Sequence, residues 1–182
     1  MMNYYIRYFR DYFDTSEGYN YSMLIENLDK FTIRVIDLSR IIGADYAPSK
    51  GFPEQVIGQS ILDLEELPRC FNNLIAATKS IISRLIPRDY MGMAPTRVSQ
   101  EEGTREICNR LLLIVYVCKN MLLAEHLHDV YGEMDGRLFE ALEKVNMRMC
   151  LKSLSDYAEE LLARSISSGK WEVDKPYVTW VV

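Results

Sequence analysis

Between residues 20 and 42 the apolar side chains Leu24, Leu28, Phe31, Val35, Leu38 and Ile42 return at intervals of three and four, and Gly43 follows them. Residues so spaced share one face of an α-helix, and glycine commonly sits just past a helix end, so the pattern predicts a helix over 20–42. After a turn-rich stretch, Pro53 opens a second segment in which Ile57, Ile61, Leu64, Phe71, Leu74, Ile75, Ile82 and Leu85 predict a helix over 54–86. Pro68 lies inside it. Proline removes a backbone donor and crowds the preceding turn, so this helix is expected to kink at Pro68 or to divide there into two in series. Glu65 and Glu66, favourable near a helix N-terminus, suit a restart.

Ser99 and Glu102 stand at capping-box spacing and predict the start of a third helix, over 100–131. It contains the unbroken apolar run Leu-Leu-Leu-Ile-Val-Tyr-Val-Cys, Leu111 to Cys118, bounded by Arg110 and Lys119. The run itself is too short to cross a bilayer, which takes roughly 20 residues, and a helix apolar on every side is one surrounded by other protein. The run therefore predicts the central helix of the fold. Ile114, Val115 and Val117 would also suit a buried strand, but the flanking residues are helix formers. Asp135 is placed to cap a fourth helix over 136–168, with a stripe of Leu138, Leu142, Val145, Met149, Leu154, Ala158, Leu161 and Leu162 ahead of Gly169.

Four long helices with short or moderate connections give an all-α fold, most economically an antiparallel up-down bundle in a single domain over 1–182. Alternation of direction gathers the segment before the first helix, the loop 87–98 and the extended tail 170–182 at one end. Tyr4, Tyr5, Tyr8, Phe9 and Tyr12 would there meet Tyr90, Met91 and Met93 of the loop and Trp171, Tyr177 and Trp180 of the tail. The termini leave two readings open. Tyr5, Phe9 and Tyr12 fall at helical spacing and suit an extra N-terminal helix, while the composition of both termini suits a small two-stranded pairing.

Composition narrows the class. The 182 residues are 48% hydrophobic and 26% charged, in keeping with one folded domain. A net charge of -5, with 21 basic residues scattered along the chain, argues against a nucleic-acid partner. Cys70, Cys108, Cys118 and Cys150 lack the close pairing of zinc sites and read as reduced core residues. Charges within the first residues disfavour a signal peptide, so a cytoplasmic protein without a membrane partner is expected.

Chemistry-bearing residues are few. Both histidines lie near the end of the third helix, where Glu125, His128 and Asp129 share one side, with Glu125 and His128 at the Glu-x-x-His spacing that can offer a carboxylate and an imidazole to one metal. No third histidine exists to complete a two-metal site, and a solvated helix face is the simpler explanation of the three residues. The pairs Glu26 with Asp29, Glu140 with Glu143, and Asp156 with Glu159 and Glu160 could face a divalent ion, yet each alternates with an apolar stripe as solvated faces do. Gly-rich phosphate loops are missing. The expectation is a non-catalytic helical adaptor or regulator without a cofactor, binding another protein through its aromatic and Met-rich end. The alternatives are a divalent-metal enzyme built on Glu125, His128 and Asp129, and a self-associating structural subunit.

Overall fold

A computed structural model describes residues 9–14, 18–42, 53–86, 98–131 and 135–168, with backbone alone at 10, 127–131 and 165–168. The fold is all-helical. A 3-10 turn, Phe9–Phe13, precedes α1 (Tyr21–Ile42), α2 (Glu54–Arg84), α3 (Gln100–Tyr131), α4 (Gly136–Val145) and α5 (Met147–Ser168). Among the described residues extended pairing is limited to one isolated bridge, between Ile86 and Ser99.

Short polar side chains start three of the helices by accepting first-turn amides that have no partner inside the helix. Asn20 Oδ1 accepts from Met23 N at 3.0 Å, Ser99 Oγ from Glu102 N at 3.2 Å, and the Asp135 carboxylate from Arg137 N at 2.9 Å. The Ser99 and Asp135 caps are the two expected from sequence.

The apolar run of α3 is covered as its composition demands. Leu111, Leu112, Ile114, Val115, Val117 and Cys118 are buried, with Leu113 and Tyr116 partly so. α3 packs along α1 and α5 and touches α2 and α4. By length and composition alone, the wider segment Gln100–His126 could also cross a membrane, a possibility that the run of eight by itself conceals. Packing against four helices gives its apolarity a second physical reason.

Contacts at the helix ends tie the elements together. Arg84 Nη2 donates to the Tyr19 carbonyl at 3.4 Å, and Gln100 donates through its backbone to Ile86 O at 2.8 Å and through its amide to Ile82 O at 3.1 Å. The start of α1, the end of α2 and the start of α3 therefore meet. Gly103 is the close-approach point: a Cβ there would collide with Leu85 Cδ1 and lie 3.3 Å from Tyr21 Cε2. Elsewhere, Arg137 grips Glu54 with two hydrogen bonds, at 2.6 and 3.1 Å, joining the starts of α4 and α2. The Thr78 and Tyr157 hydroxyls bond at 3.1 Å, tying α5 to α2.

One expectation is corrected. The helix over 136–168 is broken at Asn146, which takes a left-handed conformation with φ 52°. Its N–H closes α4 on Glu143 O, and its carbonyl opens α5 by accepting from Met149 N and Cys150 N. Asparagine tolerates that conformation better than most residues, and the break shifts the buried stripe to Met147, Leu151 and Leu154 while Met149 is 64% exposed. Of the two readings of the second helix, the undivided one holds, with Pro68 inside α2.

Leu112→Asp is expected to abolish cooperative unfolding in a circular-dichroism melt, because an unpaired carboxylate at that fully buried position costs several kcal/mol of a total near 5–15 kcal/mol. An unchanged melt would contradict the central placement of the run. At Asn146, replacement by Gly should leave stability within about 0.5 kcal/mol whereas replacement by Val should cost about 1–2 kcal/mol, compared by urea titration.

Candidate functional site

Two charged residues stand where the helix periodicity calls for apolar ones. In α2 the buried line Ser60, Asp63, Leu67, Cys70 and Leu74 places a carboxylate among core residues, and in α1 Arg34 sits three residues after Phe31 and four before Leu38. Where α1 and α2 face each other these charges meet. Arg34 Nη2 lies 2.9 Å from Asp63 Oδ1, and the Gln59 amide donates to the same oxygen at 3.0 Å.

Aromatic rings form the other side of the pair. The Arg34 guanidinium lies 4.5 Å from the centroid of Phe9 and 6.0 Å from that of Tyr12, distances at which a cation is drawn to the ring face. Phe9 and Phe13 each meet Phe31 edge-on, at 5.2 and 5.3 Å, and Phe31 meets Phe71 the same way. Main-chain carbonyls of the 3-10 turn are used as well: Cys70 donates its S–H to Phe9 O at 3.1 Å, and Asn27 Nδ2 donates to Tyr12 O at 2.7 Å. The turn thus seals the middle of the cleft between α1 and α2.

Beyond it the same cleft opens into a half-open cavity of about 560 Å³ between the second half of α1 and the first half of α2. Leu38, Ile41 and Val56 supply apolar wall, Asp63 and Gln59 a polar one, and Asp37 an exposed carboxylate. Burial pushes the Asp63 carboxyl up to about 6 against the pull of Arg34 and Gln59, with Glu66 adding a like charge nearby. One oxygen of Glu66 is itself buried without a hydrogen-bond partner among the described residues.

The residues singled out from sequence are distributed differently. Phe9 and Tyr12, expected on a binding surface, are core residues, 0% and 8% exposed, because the 3-10 turn inserts their rings against α1 and α2. Tyr4, Tyr5, Tyr8, Tyr90, Met91, Met93, Trp171, Tyr177 and Trp180 lie outside the described residues, as does the pairing of the termini. Glu125 is half-buried, and the side chains of His128 and Asp129 lie outside those described. Leu123 is exposed, and the buried face there passes through Met121 and Ala124.

The carboxylate pairs are solvated. Glu26 pairs with Lys30 at 2.7 Å, Asp29 with Arg110 at 2.9 Å and Asp156 with Lys152 at 2.9 Å, while Glu140, Glu143, Glu159 and Glu160 are exposed. All four cysteines are free; burial raises every thiol, Cys108 and Cys118 to about 12, which keeps them protonated and poor nucleophiles. The apolar stripe of the last helix is spent inside the chain apart from exposed Met149 and half-buried Val145.

Set beside known proteins, the chain matches no family model, no curated protein and no solved structure.

The Asp63 carboxyl predicts a pH signature. Its value in the folded chain lies above the ordinary 3.8, so the folded state holds this proton more tightly and the group's stabilising contribution is lost as pH rises from about 4 through about 6. Asp63→Asn, compared with wild type by urea titration, should gain on the order of 1–3 kcal/mol of relative stability between pH 4 and pH 7. A difference that stays constant over that range would contradict the raised value.

Proposed function

We propose that the chain is a non-catalytic adaptor or regulatory protein of the cytoplasm, an up-down helical bundle that binds another protein through one aromatic and Met-rich end. The meeting of the α1 start, the α2 end and the α3 start carries this reading. The roots of the loop between α2 and α3, Ile86 and Ser99, are bridged there beside a cavity of about 250 Å³ lined by Tyr21, Arg84, Leu85 and Val98. The sequence that joins these two roots contains Tyr90, Met91 and Met93.

Helix directions support the same arrangement. α4 and α2 start together through Arg137 and Glu54, and farther along the contact of Tyr157 with Thr78 keeps α5 running beside α2. The end of α5 is thereby directed toward the end of α2. Aromatic and Met side chains are enriched where proteins meet, since they bury large area and adapt to a partner's surface. Free cysteines are in keeping with a reducing compartment.

The test is photo-crosslinking in cells from a benzoylphenylalanine placed at position 93. The wild-type background should yield a discrete adduct with another protein. A Tyr90→Ala, Met91→Ala, Trp180→Ala background should lose it while keeping the same thermal melt. Retention of the same adducts by the folded triple variant, or no adduct from either, would defeat the reading.

A further inference from the structure

Removal of α4 would leave every other helix with its neighbours: α3 keeps α1, α2 and α5, and α2 keeps α1, α3 and α5. The backbone of α4 is self-contained as well. At the break, the Asn146 N–H closes α4 on Glu143 O, while Met149 N and Cys150 N fasten the first turn of α5 on the Asn146 carbonyl, outside α4. Cys150 Sγ adds a 3.5 Å contact to Val145 O across the break. At the other end Asp135 serves α4 alone, its side chain accepting from Arg137 N and its carbonyl from Phe139 N. What holds the helix down is small. It buries three side chains, Leu138, Ala141 and Leu142, whereas α1 buries nine and α2 twelve. The clamp at its start, Arg137 on Glu54, joins side chains 52% and 78% exposed, where solvent screens the pair.

We propose that α4 is a cover that opens as a unit at Asn146 and uncovers the start of α2, while α1, α2, α3 and α5 stay packed. Folded chains open locally in cooperative units, and the unit that opens first is the one with little buried apolar surface and few backbone bonds shared with its surroundings. α4 meets both conditions. A ten-residue helix does not hold its shape once detached, so the opened segment melts and its amides meet water. Leu138 and Leu142, together with the part of α2 beneath them, become exposed on opening and are hidden again on closing. The bundle thereby holds a concealed apolar surface at the start of α2, away from the aromatic end proposed to bind a partner.

Hydrogen exchange of the full chain, followed by mass spectrometry in rising sub-denaturing urea, tests this. Amides of Glu140 to Val145 should exchange at least about tenfold faster than those of Leu111 to Cys118, with a weaker urea dependence, because opening α4 exposes less surface than unfolding the bundle. One variant separates the cover from the bundle. Tyr157→Phe removes the hydroxyl that meets Thr78 between α5 and α2, a contact that survives the opening of α4. It should speed exchange at 111–118 about fivefold and leave 140–145 unchanged. Equal rates and urea dependence in the two segments, or equal acceleration of both by Tyr157→Phe, would overturn the proposal, since α4 would then open only with the whole bundle. Unprotected amides at 140–145 would overturn it as well, because the segment would never be closed. The wild-type comparison decides by itself if Tyr157→Phe shifts neither segment or fails to fold.

Discussion

A helix that is apolar around its whole circumference needs neighbours on most of its sides, and the arrangement of this protein follows from covering α3, of whose run only Leu113 and Tyr116 stay partly open. α1 and α5 flank it along its length, with α2 and α4 completing the cover. The surrounding helices need only one apolar face each, which is why their stripes are narrow and their outer surfaces carry exposed ion pairs such as Lys30 with Glu26 and Lys152 with Asp156. Arg110, at the border of the run, shows the transition in a single side chain: its stem is partly covered, while its guanidinium reaches Asp29 on α1 and Glu106 one turn back.

The contact between α1 and α2 is built on another principle. It is wedged open by the 3-10 turn, whose rings surround Phe31, and it is crossed by the partly desolvated ion pair of Arg34 and Asp63. Such a pair contributes little net stability, because removing two charges from water offsets most of their attraction. Its contribution is one of register. The guanidinium must lie over Phe9 and reach Asp63 at once, so sliding α1 against α2 by one turn would separate the two charges and take Arg34 off the ring.

Long periodic elements were readable from sequence almost to the residue: the bounds of α1 and α3, the Ser99 and Asp135 caps, and the burial of Leu111 to Cys118 all follow from spacing and local capping chemistry. The break at Asn146 was not, because the stripe of the last helix can be drawn at an acceptable spacing through Met149. The discriminating sign was the five-residue step from Leu142 to Met147 between the residues that are in fact buried. Phe9 and Tyr12 were misplaced since an aromatic cluster reads alike whether it covers a core or meets a partner. The Arg34 and Asp63 pair had a signal, a charge in each of two apolar lines, but the encounter of residues 29 positions apart is a property of tertiary packing that one-dimensional spacing does not carry.

The left-handed residue at 146 divides the last arm of the bundle between two neighbours. α4 leans on α2 and is held there by the Arg137 grip on Glu54, whereas α5 follows α3. With ten residues, α4 is shorter than the roughly 12–15 at which an isolated helix becomes even marginal, so its helicity is borrowed from α2. The first half of α2 thus serves as a party wall, with the Asp63 cavity in one room and α4 in the other. The short helix therefore depends for its place on the same stretch of α2 that lines the cleft on its other side.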